Sequence, residues 1–486
     1  MLFNTIQYIL FLPFVTAVYF LLPHKVRHVW LLAASWYFYM QWNPKYILLL
    51  AGCTLVTYTG ARILEGMEGA PGRRKAVLFA CLTVNLGILG FFKYYNFGTG
   101  LMNRFLGAVH LPQFPALSII LPVGISFFTL QALGYLIDVY RGDIPAEHDF
   151  IRYALFVSFF PQLVAGPIER PENLLPQLRA GVGFSRENTR AGLVRMTLGY
   201  FKKVAVADML ASCVERVYSA PAEQTALSVF LATALFAVQI YCDFSGYSDI
   251  AVGTARLMGI RLSENFRRPY FAVGIREFWE RWHISLSGWL RDYLYIPLGG
   301  NRKGKARTQF NILIVFLASG LWHGANLTFV VWGLLHGIAR VFENLCDPLL
   351  KRADSAVEKK RSLRCLWRGA RHVLTCLFVG FAWIFFRADR VSTAFGMIGT
   401  LFTDRLFRVG ALSEALALMG TDGFGLLLLA ALASVLLLHD AGEEKEGVSP
   451  IGGGLETVLV CFWIIVVAAI VQAASGGAST FIYFQF

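Results

Sequence analysis

Residues 313–332 read LIVFLASGLWHGANLTFVVW, in which two apolar runs are separated by the polar sequence HGAN at positions 323–326. The apolar windows on either side of this sequence are shorter than, or close to, the roughly 17 residues of a membrane crossing. Helices that break at membrane depth are tolerated only where they are buried in protein or line a cavity. This stretch therefore predicts an all-α membrane fold built around an interior cavity.

The composition of the whole chain agrees with that prediction. Of the 486 residues, 56% are apolar and 15% are charged, whereas about 25% are charged in soluble domains. The apolar windows predict a single integral-membrane domain over residues 1–486, with about 11–13 transmembrane helices plus re-entrant and amphipathic helices. The windows are 2–22, 29–40, 44–63, 74–94, 118–140, 151–166, 192–219, 225–246, 308–322, 327–345, 370–387, 423–438 and 456–474.

The basic residues orient this predicted helix bundle. The formal net charge is +13, and most of the basic residues outside the apolar windows lie in the linkers 170–203, 261–307 and 351–371. The positive-inside rule assigns these linkers to the cytoplasm, and with 151–166 as a re-entrant hairpin both termini fall outside. Excess basic charge in such loops lies against anionic lipid headgroups. We therefore expect membrane lipids, and no nucleic acid, as partners of the charged surface.

Polar residues inside the apolar windows are the candidates for chemistry, because burying them in a membrane is costly. His323 is the strongest of them, since Trp322 and the following Gly324 indicate a helix interruption that lines a cavity. A desolvated imidazole stays neutral and can accept a proton, which is what a general base requires. The alternative is a structural histidine whose ring is hydrogen-bonded to a backbone carbonyl.

A second candidate region, 276–293, combines charges with aromatic residues at helical spacings, which predicts an interfacial amphipathic helix. It contains His283, which lies far from His323 in the sequence but could meet it in one cavity. Membrane anchoring is the alternative function of this helix. His336 is a further candidate, for which a place in the core is the favoured interpretation.

Two other segments carry polar or helix-breaking residues. In the sequence YCDFSGYSD at 241–249, Asp243, Ser245 and Asp249 are consistent with a cation site, a proton relay or ion pairs with nearby arginines, and ion pairs are favoured. The prolines and glycine of 159–170 predict a re-entrant element that shapes a cavity. Signatures of phosphate-binding loops, zinc proteases and serine hydrolases are missing, so no metal and no tightly bound cofactor is expected.

Four segments, taken together, resemble the membrane-bound O-acyltransferase family and its bacterial, alginate O-acetyltransferase-like branch. They read SFFPQLVAGPI (158–168), DFSGYSDIA (243–251), FWERWHISLSGWLRDYLYIPLGG (278–300) and WHGAN (322–326). The resemblance covers roughly residues 1–400 and implies a multi-helix fold with a funnel on each face and a thin central tunnel. It also implies that His323 is the essential histidine, and that His283 lies where more distant members have an asparagine or aspartate.

This resemblance implies an acyl-CoA-dependent O-acyltransferase of the bacterial cytoplasmic membrane. It would move an acetyl group from cytoplasmic acetyl-CoA to an exported polysaccharide or another cell-envelope glycan, directly or through an extracytoplasmic acetyltransferase partner protein. His323 would be the general base, with His283 and Asn326 as polarising or orienting groups. Arg281 and Arg291 would attract the phosphates of coenzyme A. The other expected residues of the substrate tunnel are Trp322, Asp243, Ser245 and His336.

Two alternatives stay open at this point. One is transfer of D-alanine to teichoic acid from a carrier protein. The other, from a different functional class, is a transporter in which broken helices and histidines form a proton or substrate pathway. Acyltransferases that modify lipids or proteins differ from the favoured function only in the acceptor. No residue next to His323 marks itself as a nucleophile, so direct transfer and a covalent acyl-enzyme both stay open.

Overall fold

The computed structural model describes residues 1–67, 69–404, 409–421 and 425. Every regular element within these ranges is a helix, which confirms the predicted all-α fold. The described chain forms two compact units: Met1–Leu198 with Tyr247–Glu264, and Gly199–Gly246 with the described residues from Asn265 onward. The predicted windows at 423–438 (residue 425 excepted) and 456–474, and the predicted location of the C-terminus, lie outside the described residues.

The helices of the first unit begin at local capping signals. Thr5 caps the first helix by accepting a hydrogen bond from the backbone N–H of Tyr8 at 3.4 Å, and the Asp149 carboxylate caps the sixth by accepting from the N–H of Ile151 at 2.9 Å. The bounds are α1 (Ile6–Leu21), α2 (His24–Met40), α3 (Tyr46–Glu65), α4 (Pro71–Ala108), α5 (Ile125–Arg141), α6 (Phe150–Ser158), α7 (Phe160–Leu163), α8 (Pro171–Ala180) and α9 (Arg186–Tyr200), whose last two residues belong to the second unit.

The helix break predicted from the prolines of 159–170 is present in the first unit. Phe159 leaves the helical conformation (φ −55°, ψ 113°), and Pro161 then lies in the first turn of α7. Gln162 turns back and donates a hydrogen bond from Nε2 to the carbonyl oxygen of Phe156 at 2.9 Å, which satisfies a carbonyl near the end of α6. Two short helices therefore replace one spanning helix.

The second unit begins with a π-helical turn and contains the long helices that carry the candidate histidines. The α-helices are α10 (Asp208–Ser219), α11 (Ala226–Leu257), which ends within the first unit, α12 (Ile275–Arg281), α13 (Ile284–Leu290), α14 (Lys305–His323), α15 (Leu327–Val357), α16 (Arg361–Arg387), α17 (Val391–Thr403) and α18 (Ala411–Met419). The π-helical turns are Phe201–Ala207 and Arg291–Tyr295, and the 3₁₀ turns are Pro221–Glu223 and Pro269–Phe271.

The prediction of one amphipathic helix over 276–293 is wrong, because α12 and α13 are separate helices. Between them His283 adopts the left-handed conformation (φ 45°, ψ 54°), which no helix can continue through. The chain then passes from α13 into the π-helical turn without a further break. The aromatic and charged residues of this region are therefore divided between two short helices.

The helices α14 and α15 pack against each other on either side of the sequence HGAN. Gly324 is fully extended (φ −166°), and Asn326 caps α15 by accepting a hydrogen bond from the N–H of Thr328 at 3.1 Å. A Cβ atom on Gly320 would collide with the carbonyl oxygen of Phe329. Small residues therefore let the two helix backbones approach closely, as in other membrane helix pairs.

Five helices of the described chain are long and apolar enough to cross a membrane: Tyr46–Glu65, Pro71–Ala108, Ala226–Leu257, Leu327–Val357 and Arg361–Arg387. Two of them, α3 and α4, belong to the first unit, and α15 and α16 belong to the second. A membrane crossing needs about 20 residues of helix, and these helices have between 20 and 38. The protein is a multi-pass membrane protein, as its composition predicts.

Candidate active site

The two histidines that the sequence singles out lie next to each other inside the second unit. The ring centroids of His283 and His323 are 6.4 Å apart. Both side chains are buried, with exposed fractions of 0% for His283 and 3% for His323. His323 is the last residue of α14, whereas His283 joins α12 to α13. The structure therefore brings together two candidates whose proximity sequence spacing could not establish.

Aromatic rings enclose both histidines. The centroid of the His323 ring is 4.9 Å from that of Trp322, 5.1 Å from that of Trp332 and 5.3 Å from that of Phe386, and each pair meets edge to face. Trp322 also lies 5.6 Å from His283, so its ring contacts both. Such a box excludes water and strengthens any electrostatic interaction formed inside it.

Asn265, which the sequence analysis did not single out, fixes the tautomer of His283. The backbone N–H of Ser285, which can only donate, faces the amide oxygen Oδ1 of Asn265 at 3.4 Å, and the Ser285 hydroxyl donates to the same oxygen at 3.0 Å. His283 Nδ1 lies 3.1 Å from that oxygen and must therefore carry its hydrogen, which leaves the lone pair on Nε2. His283 lies outside the five candidate spans, and burial lowers its pKa from 6.5 to about 3. The ring is thus a neutral hydrogen-bond acceptor at Nε2.

A cavity of about 690 Å³ in the second unit follows one face of α14 towards His323. Its lining from this helix recurs at helical spacing, from Thr308 through Ile312 and Phe316 to Ser319. The next residue on that face is His323, four positions after Ser319. Ser319 is 2% exposed, whereas the opposite part of the lining includes the exposed residue Arg291. The cavity therefore extends from the protein surface to within one helical turn of the histidine pair.

Arginines line this cavity, but they are not the pair that the sequence favoured. Arg291 is in the lining and forms an ion pair with Asp292 at 2.7 Å. Arg281 instead pairs with Glu277 at 2.5 Å and lies outside the cavity lining in the described part of the chain. Arg276 and Arg340 both line the cavity, and both also line a smaller neighbouring cavity of about 250 Å³.

The carboxylates of the segment 241–249 form ion pairs. Asp243 lies 2.6 Å from the ammonium group of Lys203, which also contacts Asp208 at 2.7 Å. In the first unit, Asp249 lies 2.9 Å from the guanidinium of Arg195. The partner of Asp243 is thus a lysine of the π-helical turn rather than an arginine. Between the two carboxylates in the sequence, Ser245 is buried within α11.

His336 and Asn326 have structural contacts of their own. His336 Nδ1 accepts a hydrogen bond from the indole N–H of Trp279 at 3.3 Å, and its ring stacks on Phe278 with 13° between the planes. Asn326 caps α15 through its oxygen and donates from Nδ2 to the carbonyl of Asp389 at 2.7 Å. His336 therefore packs as a core residue, and Asn326 fixes the geometry of the helix break beside His323.

The residues that sequence reasoning missed are Arg340, Ser319 and Asn265. Arg340 and Ser319 carry polar groups on otherwise apolar helices, and that signal could have identified them. Asn265 lies in an irregular segment, where no helical periodicity in the sequence predicts which residues a side chain contacts. Among the described residues, no group of three or more histidine, cysteine, aspartate or glutamate side chains is arranged to hold a metal ion.

Comparisons with known proteins agree with the motifs. The family model described as MBOAT, membrane-bound O-acyltransferase family, matches residues 86–386. The chain is 39% identical over 408 residues to a probable alginate O-acetylase of Pseudomonas aeruginosa, covering 84% of this chain and 75% of that protein. It is 35% identical to the corresponding protein of Pseudomonas putida, covering 98% of each. It is 36% identical to a peptidoglycan O-acetyltransferase of Helicobacter pylori, covering 82% of this chain and 80% of that protein.

Proposed function

We propose, because this chain belongs to the membrane-bound O-acyltransferase family, that it transfers an acetyl group from cytoplasmic acetyl-CoA to a hydroxyl of an exported polysaccharide or other cell-envelope glycan. Family membership makes it an O-acyltransferase of a multi-pass membrane fold, which argues against a transporter without covalent chemistry. The observation that carries the finer proposal is the juxtaposition of His283 and His323 about one helical turn beyond Ser319, which lines a cavity of about 690 Å³.

His323 is the general base in this mechanism. Its ring takes the proton of the acceptor hydroxyl, whose oxygen then attacks the thioester carbonyl carbon. The new C–O bond forms, the C–S bond breaks, and the leaving thiolate takes the proton back from the imidazolium. General-base assistance of this kind contributes about 10²- to 10⁴-fold to a rate. The aromatic box keeps water away from the thioester and so suppresses hydrolysis.

His283 orients the acceptor in this proposal. With its hydrogen held on Nδ1 by Asn265, the ring offers Nε2 as an acceptor for a neighbouring hydroxyl of the glycan, while the reacting hydroxyl faces His323. Because the ring is buried and neutral, it adds no charge next to the imidazolium that forms on His323. Two neutral imidazoles, one as the base and one as the orienting group, fit a reaction that begins with a neutral hydroxyl.

The donor occupies the cavity along α14. Its volume of about 690 Å³ falls within the range of roughly 300–1,000 Å³ for small-molecule sites. Arg276, Arg291 and Arg340 attract the phosphates of coenzyme A, while the thioester lies towards Ser319. The cavity mouth then faces the cytoplasm, in agreement with the basic linkers of the sequence.

The relatives support the choice of acceptor. Proteins that match over most of this chain are a probable alginate O-acetylase and a peptidoglycan O-acetyltransferase, both named for acetylation of a glycan. The acetyl group reaches the glycan directly or through an extracytoplasmic acetyltransferase partner protein. The protein lies in a bacterial cytoplasmic membrane with both termini on the outer side. D-alanyl transfer from a carrier protein is the alternative that the same site geometry would also serve.

The test is release of esters by mild base from the envelope glycans of the source cell. A deletion strain is complemented with the wild type, His323→Ala or the exposed control variant His110→Ala, and the released acids are identified by mass spectrometry. Acetate present with the wild type and control but lost with His323→Ala supports the proposal. Loss of D-alanine instead assigns the donor to a carrier protein, and unchanged ester content contradicts acyl transfer to the envelope.

A further inference from the structure

Ser319 contributes a buried hydroxyl group to the wall of the cavity along α14. The residue is 2% exposed and belongs to the cavity lining. It precedes His323 by four positions, so the two side chains lie on the same helix face, about 5–6 Å apart at their Cβ atoms. Among polar residues of the described cavity lining, it is the one closest in sequence to His323.

The hydroxyl of Ser319 differs from those of Thr233 and Thr375, two other buried hydroxyls on helices of the same unit. Thr233 donates to the carbonyl of Val229 at 2.7 Å, and Thr375 donates to that of Arg371 at 2.8 Å, so each bonds to its own helix. Ser319 Oγ makes no hydrogen bond to any described residue. Because burying a hydroxyl without a partner is costly, an alanine would pack better here unless a ligand accepts the bond.

The charge of the cavity lining indicates what kind of ligand group reaches Ser319. Arg276, Arg291 and Arg340 line the cavity with one carboxylate, Glu280, so positive charge is in excess, and Ile312, Val315 and Phe316 line it along α14 before Ser319. A ligand that carries anionic groups and, apart from them, an uncharged carbonyl matches this lining. An acyl thioester of coenzyme A has that arrangement, with phosphates at one end and the thioester carbonyl at the other.

We propose that the hydroxyl of Ser319 donates a hydrogen bond to the carbonyl oxygen of the thioester donor. This inference rests on the proposed function and adds a group that contacts the reacting atoms. When the acceptor oxygen, deprotonated by His323, bonds to the carbonyl carbon, negative charge develops on the carbonyl oxygen and the bond from Ser319 strengthens. When the C–S bond breaks, the negative charge moves from the carbonyl oxygen to the leaving thiolate, which takes the proton from His323. Ser319 keeps its own proton throughout.

The experiment measures transfer of radiolabelled acetate from acetyl-CoA onto base-labile esters of the native glycan, in membrane vesicles of the deletion strain that carry each variant. Ser319→Ala should lower kcat about 100-fold, as loss of one such donor does elsewhere, with the KM for acetyl-CoA nearly unchanged. Thr328→Val is the matched control, because Thr328 is also buried with a hydroxyl that bonds no described residue, but it lies outside the cavity lining.

A second measurement does not depend on activity. The thiol of Ser319→Cys should react with N-ethylmaleimide, as read by peptide mass spectrometry, and acetyl-CoA should protect it. The thiol of Thr328→Cys should show no such protection. If Ser319→Ala fails to accumulate in the membrane, protection of the thiol at position 319 still tests whether the donor contacts this residue.

The outcomes separate the two proposals. Absence of acetyl transfer by the wild type contradicts the proposed function. Transfer by the wild type with equal rates for Ser319→Ala and Thr328→Val, or a thiol at position 319 that acetyl-CoA leaves unprotected, overturns the role of Ser319 alone. An acetyl ester on the Ser319 peptide during turnover also overturns it, because the residue would then be a nucleophile rather than a hydrogen-bond donor.

Discussion

Two of the helix interruptions in the described chain have similar sequence signatures and different surroundings. At the break between α6 and α7, Ser158 donates to the carbonyl of Ala154 at 2.6 Å, and Ser35 accepts from the N–H of Phe160 at 3.1 Å. At the break between α14 and α15, the preceding helix turn carries Ser319, which faces a cavity and bonds no described residue. A broken apolar helix therefore does not identify a site by itself. What distinguishes the two breaks is whether their polar groups bond within the protein or face a cavity.

The largest difference between the breaks should come from His323. His323→Ala and the milder His323→Gln remove the proposed base, so kcat should fall about 10²- to 10⁴-fold. The thermal unfolding temperature of His323→Gln in detergent should stay close to that of the wild type. Acetyl transfer in vesicles measures the rate. Retention of activity within tenfold, in both variants, would remove the chemical distinction between the two breaks.

Asn265 gives the next largest effect, through the orientation of His283. Asn265→Leu keeps the volume but removes the oxygen that holds the Nδ1 hydrogen, and kcat should fall about 10- to 100-fold, the range found for residues that orient metal-bound histidines. Asn265→Asp keeps an acceptor oxygen and should retain most of the activity. Asn311→Leu is a buried control in the same unit, since Asn311 donates to the carbonyls of Leu298 and Gly300. Equal losses in all three variants would indicate a purely structural role for Asn265.

Arg340 should affect donor binding more than the chemical step. Its guanidinium lines both cavities and lies 3.6 Å from Glu343. A hydrogen bond to a charged group contributes about 1.5–3 kcal/mol, so Arg340→Gln should raise the KM for acetyl-CoA by about tenfold or more and leave kcat nearly unchanged. Arg281→Gln serves as the comparison, because Arg281 pairs with Glu277 and is absent from the described lining of either cavity. A larger increase in KM for Arg281→Gln than for Arg340→Gln would support the sequence-based expectation that Arg281 binds the phosphates of coenzyme A.

The smallest effect is expected at the other break. Gln162→Leu removes one hydrogen bond to the Phe156 carbonyl, which keeps a second donor in Gln131 at 2.5 Å. The loss should lower the stability by about 0.5–1.5 kcal/mol and leave kcat unchanged. Thermal unfolding and acetyl transfer, measured on the same preparation, test both statements. A loss of activity comparable with that of His323→Gln would show that the two breaks share a function.

Local signals made most of the fold predictable. Apolar windows located the long helices, and the prolines near 160 and the glycine after His323 located the breaks at α6–α7 and α14–α15. The end of the predicted amphipathic helix at His283 was not predictable, because histidine carries no strong signal for a left-handed backbone. The π-helical turn that carries Lys203 was also missed, since its residues read as part of one apolar helix.

The site was predictable only in its residue types. Polar atoms in apolar surroundings pointed to His283, His323 and Asp243, but their partners come from contacts distant in sequence. Asp243 pairs with Lys203, and His283 with Asn265, neither at a spacing that a helix would produce. The arginines show the same limitation, because membership of the cavity lining depends on tertiary packing rather than on charge pattern.

The left-handed backbone at His283 limits which residues position 283 can accept. Asparagine, aspartate and histidine are the side-chain-bearing residues most often found in that conformation, whereas β-branched residues are rarely accepted. A valine or threonine here would therefore strain the backbone in addition to removing the ring. The side chains that this backbone favours each carry a group able to accept a hydrogen bond, so the conformation itself favours a polar residue beside His323.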